Sequence, residues 1–216
     1  MEKGFFEWVI FFIQGNWQQF LLGTATTLLI SLSGTIIGFF LGLGVSLIQY
    51  TKTDDKSSTL FKGFIKFLKI LISIYITIFR GTPMIVQAMV IFYGLPQLIG
   101  LNLDPLPAAL LIVSINTGAY MAEMIRGGVD SVDPGQLEGA QAIGMSHFQA
   151  MISIIFPQAV RNVLPSIGNE FIINIKDTSV LNVIGVTELF FTSKSIAGSY
   201  AKYYEVFIIT SVIYLF

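Results

Sequence analysis

From Phe20 to Ile48 the chain carries no Asp, Glu, Lys or Arg. A helix needs only about 20 apolar residues to cross a bilayer, so this stretch defines a first transmembrane span and sets the class of the protein. With 54% hydrophobic and 12% charged residues among 216, and a mean hydropathy of +0.75, the rest of the chain cannot hide its apolar surface in a soluble core either. The expected fold class is all-α, a polytopic transmembrane helical bundle of about five spans.

The same composition excludes several functions. A net charge of -1 leaves no basic stripe to neutralise phosphates, so no nucleic acid is a partner. With no cysteine and one histidine, no thiolate or imidazole metal site is expected. No Gly-Lys dipeptide occurs, so no phosphate-cradling P-loop can form and the chain cannot hydrolyse ATP by that route.

Charge asymmetry orients the spans. The segment Tyr50 to Lys69 holds Lys52, Lys56, Lys62, Lys66 and Lys69, whereas Pro96 to Pro107 has no Lys or Arg. By the positive-inside rule the first is cytoplasmic and the second outside. The second span then runs from near Ile70 to Leu95, the third from Leu106 to about Arg126, and the fourth from near Ala150 to about Ile175, kinked or broken at Pro157, Pro165 and Gly168. Residues 185 to 202 form an outer connection, and Tyr203 to Phe216 begin a fifth span. That last piece rises only about 21 Å as a helix, so the chain is expected to continue beyond Phe216. Residues 2 to 14 read as an interfacial helix with Trp8 and Trp17 at headgroup level, or equally as an extension of the first span. The N-terminus is placed outside. In the first span, Gly34, Gly38 and Gly42 recur every fourth residue, with Gly44 close by, and make one face smooth enough for another helix to approach.

The longest polar insertion lies between the third and fourth spans, in the cytoplasm, at about 127–149. Asp133-Pro134-Gly135-Gln136 supplies a cap and a proline at the first helical position, so a short helix is predicted over 134–143. Gly144 suits a left-handed C-cap. Ser146 with Gln149 repeats the cap-plus-three pattern, so a second helix should begin at once. Gly139, Ala140, Ala142 and Gly144 present almost no bulk, and the product is a knob able to enter a groove on a partner, with Glu138 as a charge to aim at a basic group. His147 is expected to be exposed.

Glu138, Ala140, Gly144, Ile154 and Pro157 fall at the spacing of the EAA loop, and residues 138–157 thereby resemble that loop in the membrane subunits of ABC importers. Gly139 and Phe156 depart from that pattern. Phe79-Arg80-Gly81-Thr82-Pro83-Met84-Ile85-Val86-Gln87, Gly168-Asn169-Glu170-Phe171 and Lys176-Asp177-Thr178-Ser179 are similar to runs typical of the polar amino-acid subfamily of type I importers. The resemblance extends from about Thr24 to the end and implies one transmembrane permease domain over 1–216 with a cytoplasmic coupling helix. It implies an ATPase-coupling set of Glu138, Gly139, Ala140, Gly144, Met145 and Ser146. It also implies, as partners, a dimeric ABC ATPase that holds the ATP and Mg, a second permease chain (identical or related), an amino-acid-binding protein outside, and the bilayer. No cofactor is expected in this chain.

Arg80 lies deep in the second span, where an arginine costs at least about 2.5 kcal/mol. It therefore needs a partner. A zwitterionic amino acid suits the residue types: Arg80 and Lys176 can meet its carboxylate, and Asp177 or Glu170 its ammonium, with Thr82, Gln87, Thr178 and Ser179 completing the hydrogen bonds. Glu123 and Arg126, three apart on one helix, read as a local structural pair outside that site. Relatives often carry an acid three positions before the arginine, where this chain has Thr77, which favours a neutral polar substrate such as glutamine. An ion-coupled secondary amino-acid transporter would share the broken helices and buried charges, but it leaves 133–149 without a role.

Overall fold

The computed structural model describes residues 4–52 and 58–216. Lys56 and the first residues of the proposed interfacial helix lie outside that range. The described chain is an all-α membrane bundle: α1 (Phe5–Tyr50), α2 (Thr59–Gly81), α3 (Met84–Ile99), α4 (Pro105–Asp130), α5 (Pro134–Ala142), α6 (His147–Ala150), a π turn (Met151–Ile155), α7 (Phe156–Asp177), a 3-10 helix (Thr178–Ile184), α8 (Leu189–Tyr200) and α9 (Tyr203–Leu215). Among the described residues three helical runs are long and apolar enough to cross a membrane: Phe5–Tyr50, Pro105–Asp130 and His147–Ile184.

Of the two readings of the N-terminal segment, the structure takes the extension of the first span: from Phe5 it forms the first turns of α1, because Gly15 and Asn16 alone do not break a helix flanked by strong apolar formers. Trp8 is half-buried and stacks on Phe12, with ring centroids 5.5 Å apart. The expected second span is two helices. Thr82, forced out of the helical region by the proline that follows, adopts φ −122°, ψ 147°, and Pro83 offers no N–H, so α2 stops and α3 restarts. α2 also begins at Thr59, where Ser58 Oγ accepts the Phe61 N–H at 3.2 Å; Lys62, Lys66 and Lys69 therefore lie on α2. The fourth span, expected to be kinked or broken, is one unbroken helical run with a π turn in it. It is continuous with the second docking helix, and the π turn just ahead of Pro157 widens the backbone where the proline ring would press on the carbonyl of Ser153. α7 then passes through Pro165 uninterrupted.

The chain divides into two compact units. One comprises Met1–Gly34, Met84–Val113 and Ile172–Phe216; the other Thr35–Pro83 and Ser114–Phe171. In the first, α3 packs on the 3-10 helix, with Ala88, Ala108, Ile112, Leu181 and Ile184 buried together. A second core there joins Phe12 and Phe20 to Leu189, Ile196 and Val206. In the other unit, Ile125, Met151, Ile155 and Phe156 form a core flanked by Leu137.

The glycine face of α1 meets α4 in both units. In the first, a Cβ built on Gly34 would fall 2.4 Å from Val113 Cγ1. In the second, one on Gly38 would fall 2.7 Å from Thr117 Cβ and one on Gly42 2.5 Å from Met121 Cβ. Four-residue spacing on both helices keeps the contacts in step.

Candidate functional site

The docking loop belongs to the second unit. Asp133 caps α5, its Oδ1 accepting the Gly135 N–H at 2.7 Å. Gly144 takes φ +88°, the left-handed conformation that glycine adopts without strain. Ser146 closes a capping box: its Oγ accepts the Gln149 N–H at 3.3 Å and Gln149 Oε1 accepts the Ser146 N–H at 2.9 Å. The knob is tied down by Gln158 Nε2, which donates to Gln136 Oε1 at 3.2 Å, and by Asn162 Nδ2, which donates to Ser131 Oγ at 3.0 Å.

These constraints decide which side chains face outward. Glu138, Gly139, Gly144 and Ser146 are exposed, Met145 is half-buried, and Ala140 is turned into the core. Two residues not anticipated from sequence complete the outer face: Ile143 and Phe148 are 79% and 61% exposed. Large apolar groups in a loop of small residues were the available signal. His147 is half-buried, contrary to expectation, and its Nε2 lies 3.1 Å from the Tyr50 carbonyl oxygen. A carbonyl only accepts, so Nε2 carries the proton.

The proposed pathway residues fall in both units. Arg80, Thr82 and Glu170 belong to one; Gln87, Lys176, Asp177, Thr178 and Ser179 to the other. Glu170, Gln87 and Thr178 are buried, Lys176 is exposed and Asp177 is half-buried. The Thr82 hydroxyl donates to the Ile78 carbonyl at 2.8 Å and the Thr178 hydroxyl to the Ile175 carbonyl at 2.9 Å. With their protons so used, both can only accept from a ligand, which suits an ammonium better than a carboxylate.

Arg80 has a partner in its own unit that spacing could not reveal. Its Nη1 lies 3.4 Å from Glu123 Oε2, and its guanidinium sits 5.7 Å from the centre of the Tyr120 ring. Glu123 is also held by Arg126, at 3.1 Å, so it is more than the local helix pair its spacing suggested. Arg126 Nη1 in turn meets Asp130 Oδ2 at 2.9 Å. The Arg80 side chain keeps 42% of its surface accessible and Glu123 22%. An arginine and a carboxylate side by side, both partly open, form a dipole matched to a zwitterion.

In the first unit, Glu188 is fully buried at the start of α8. Its carboxylate accepts the N–H groups of Phe190 and Phe191 at 2.8 and 2.6 Å and the Tyr214 hydroxyl at 3.2 Å. Burial pushes this carboxyl above the usual range, and those hydrogen bonds pull it part of the way back.

Comparison with known proteins agrees with this architecture. Residues 57–216 match the family described as binding-protein-dependent transport system inner membrane component. The chain is 37% identical over 192 residues to the arginine transport system permease protein ArtQ of Bacillus subtilis (strain 168), covering 89% of this chain and 82% of that protein. It is 38% identical over 194 residues to the glutamine transport system permease protein GlnP of Escherichia coli (strain K12), covering 89% and 83%. The crystal structure of an amino acid ABC transporter with histidines aligns with a TM-score of 0.82 at 35% identity, over 100% of this chain and 92% of that one. Inward-facing MetNI methionine ABC transporter shares the fold, at a TM-score of 0.68 and 17% identity over 92% and 91%. The chain belongs to the binding-protein-dependent transport system inner membrane component family, as a permease subunit of an amino-acid ABC importer.

Proposed function

We propose that this subunit passes a neutral polar amino acid, glutamine-like in size and charge, into the cell by alternating access, with Arg80 and Glu123 meeting the substrate's carboxylate and ammonium. The family brings with it an ATPase partner and pairing of permease chains. In this reading ATP and Mg reside on an ATPase dimer, a binding protein delivers the amino acid outside, the N-terminus lies outside and α5 docks in the cytoplasm. Closing of the ATPase pair favours one permease state because its groove grips the knob differently in each nucleotide state.

The observation that carries the substrate assignment is the half-open Arg80–Glu123 pair. Thr77, where relatives often carry an acid, leaves no carboxylate one turn from Arg80 on α2 to receive a cationic side chain. The similarity to both an arginine and a glutamine permease does not choose between those substrates; Thr77 favours the neutral one. The test is ATP-driven uptake in proteoliposomes that contain this chain, its ATPase and its binding protein. Glutamine should outcompete arginine and lysine, and Glu123→Gln should raise the KM for glutamine at least tenfold. Preferential arginine uptake, or a KM unmoved by Glu123→Gln, overturns the assignment.

A further inference from the structure

Two side chains clip other elements of the second unit onto α4 at points two turns apart. At its cytoplasmic end, the Tyr50 hydroxyl donates to Asp130 Oδ1 at 2.7 Å and approaches the Arg126 carbonyl at 3.3 Å. Further along, Glu123 holds Arg80 of α2. Glu123, Arg126 and Asp130 are spaced three and four apart on one helix face and are joined by ion pairs. Seven residues of helix place the two clips about 10.5 Å apart along the axis.

Tyr50 also reaches the docking loop. Its carbonyl accepts from His147, the first residue of α6, directly after the Ser146 cap. Its ring meets Phe156 edge-on at 6.2 Å. The last residue of α1 therefore bonds by its backbone to the start of the docking-loop helix and by its side chain to the end of α4. A cavity of about 150 Å³ lined by Tyr50, Thr51, Ser146, His147 and Met151 lies at this junction, so the loop is not locked there by close packing.

Exposed ion pairs alone contribute little: the Arg126 and Asp130 side chains are 47% and 54% accessible, and such pairs are worth about 0–1 kcal/mol. The rigid helix between the clips, not the chain of charges, is what carries displacement. Resting on the importer reading above, we propose that Tyr50 is a positioning residue for transport, linking the docking loop through α4 to Arg80 so that a shift of α6 reorients that arginine. Its hydroxyl–Asp130 bond is the coupling element.

The test compares Tyr50→Phe, Asp130→Leu and the double variant in the complete reconstituted transporter, reading ATP hydrolysed per amino acid taken up. Tyr50→Phe keeps the ring on Phe156, and Asp130→Leu keeps the branched shape while offering the hydroxyl no acceptor. Each single variant should raise the ratio about tenfold, within the usual range for coupling between sites, with ATPase association and turnover retained. The double variant should be no worse than either single, as expected for one shared bond. Wild-type ratios in both singles, additive losses in the double, or loss of ATPase association each overturn the inference. Wild-type protein that shows no ATP-driven uptake overturns the importer reading, and this inference with it.

Discussion

Replacing Gly42 by alanine adds one methyl group where α1 and α4 are in backbone contact. The new Cβ would fall 2.5 Å from Met121 Cβ, 2.7 Å from the Ala122 nitrogen and 2.9 Å from the Met121 carbonyl carbon. Two of those three atoms are backbone, so no rotamer change relieves the clash and the helices must separate by about 1 Å. Such a gap forfeits a quarter to a half of each dispersion well it opens. Overpacking of this kind costs about 1–3 kcal/mol. Gly44, on the same helix, has nothing within 4 Å of a built Cβ. Alanine relieves the intrinsic penalty of a helical glycine, about 1 kcal/mol, at either site. That gain cancels between the two variants, so Gly42→Ala should be less stable than Gly44→Ala by the overpacking cost alone, about 1–3 kcal/mol. Thermal unfolding in a single detergent, followed by tryptophan fluorescence, measures the difference. Equal midpoints, or a higher midpoint for Gly42→Ala, would refute the close α1–α4 seam.

Other perturbations probe the remaining parts. Arg80→Leu should abolish uptake with little loss of stability, because Glu123 retains Arg126; unchanged uptake would remove Arg80 from the pathway. Ser146→Ala removes a capping box and should cost about 0.5–2 kcal/mol, seen as faster amide exchange at Gln149 while α5 stays protected. Glu188 gives a pH signature. With its folded-state carboxyl raised above the unfolded value, its contribution to stability is full below the unfolded value and is lost as pH rises through the folded value. Glu188→Gln should flatten that fall in an unfolding series from mildly acidic to neutral pH, and an unchanged slope would show that another group is responsible.

Local signals are legible in this sequence and long-range ones are not. The start of α5, the left-handed Gly144 and the Ser146–Gln149 capping box each depend on residues within four positions, so propensity and hydrogen-bonding chemistry specify them without knowledge of the fold. Every-fourth glycines announce a close helix approach for the same reason. The partner of that glycine face, α4, is not legible, since any helix can supply a smooth ridge. Nor is Glu123 as the counter-ion of Arg80: its spacing to Arg126 satisfies a local explanation, and the tertiary contact is superimposed on it. His147 escapes because its acceptor is a backbone carbonyl 97 positions earlier. Pro157 suggests a break, but a π turn absorbs it, and sequence offers no signal for that adjustment.

The most direct test of the account is ATP-dependent amino-acid uptake by this chain reconstituted with its co-purifying ATPase, wild type against Glu138→Arg. Glu138 is exposed on the outer face of α5, so the variant should keep the wild-type unfolding temperature. Uptake should fall at least tenfold, together with loss of the bound ATPase. Uptake that persists in the wild type without any ATPase or ATP would contradict this and point to an ion-coupled carrier.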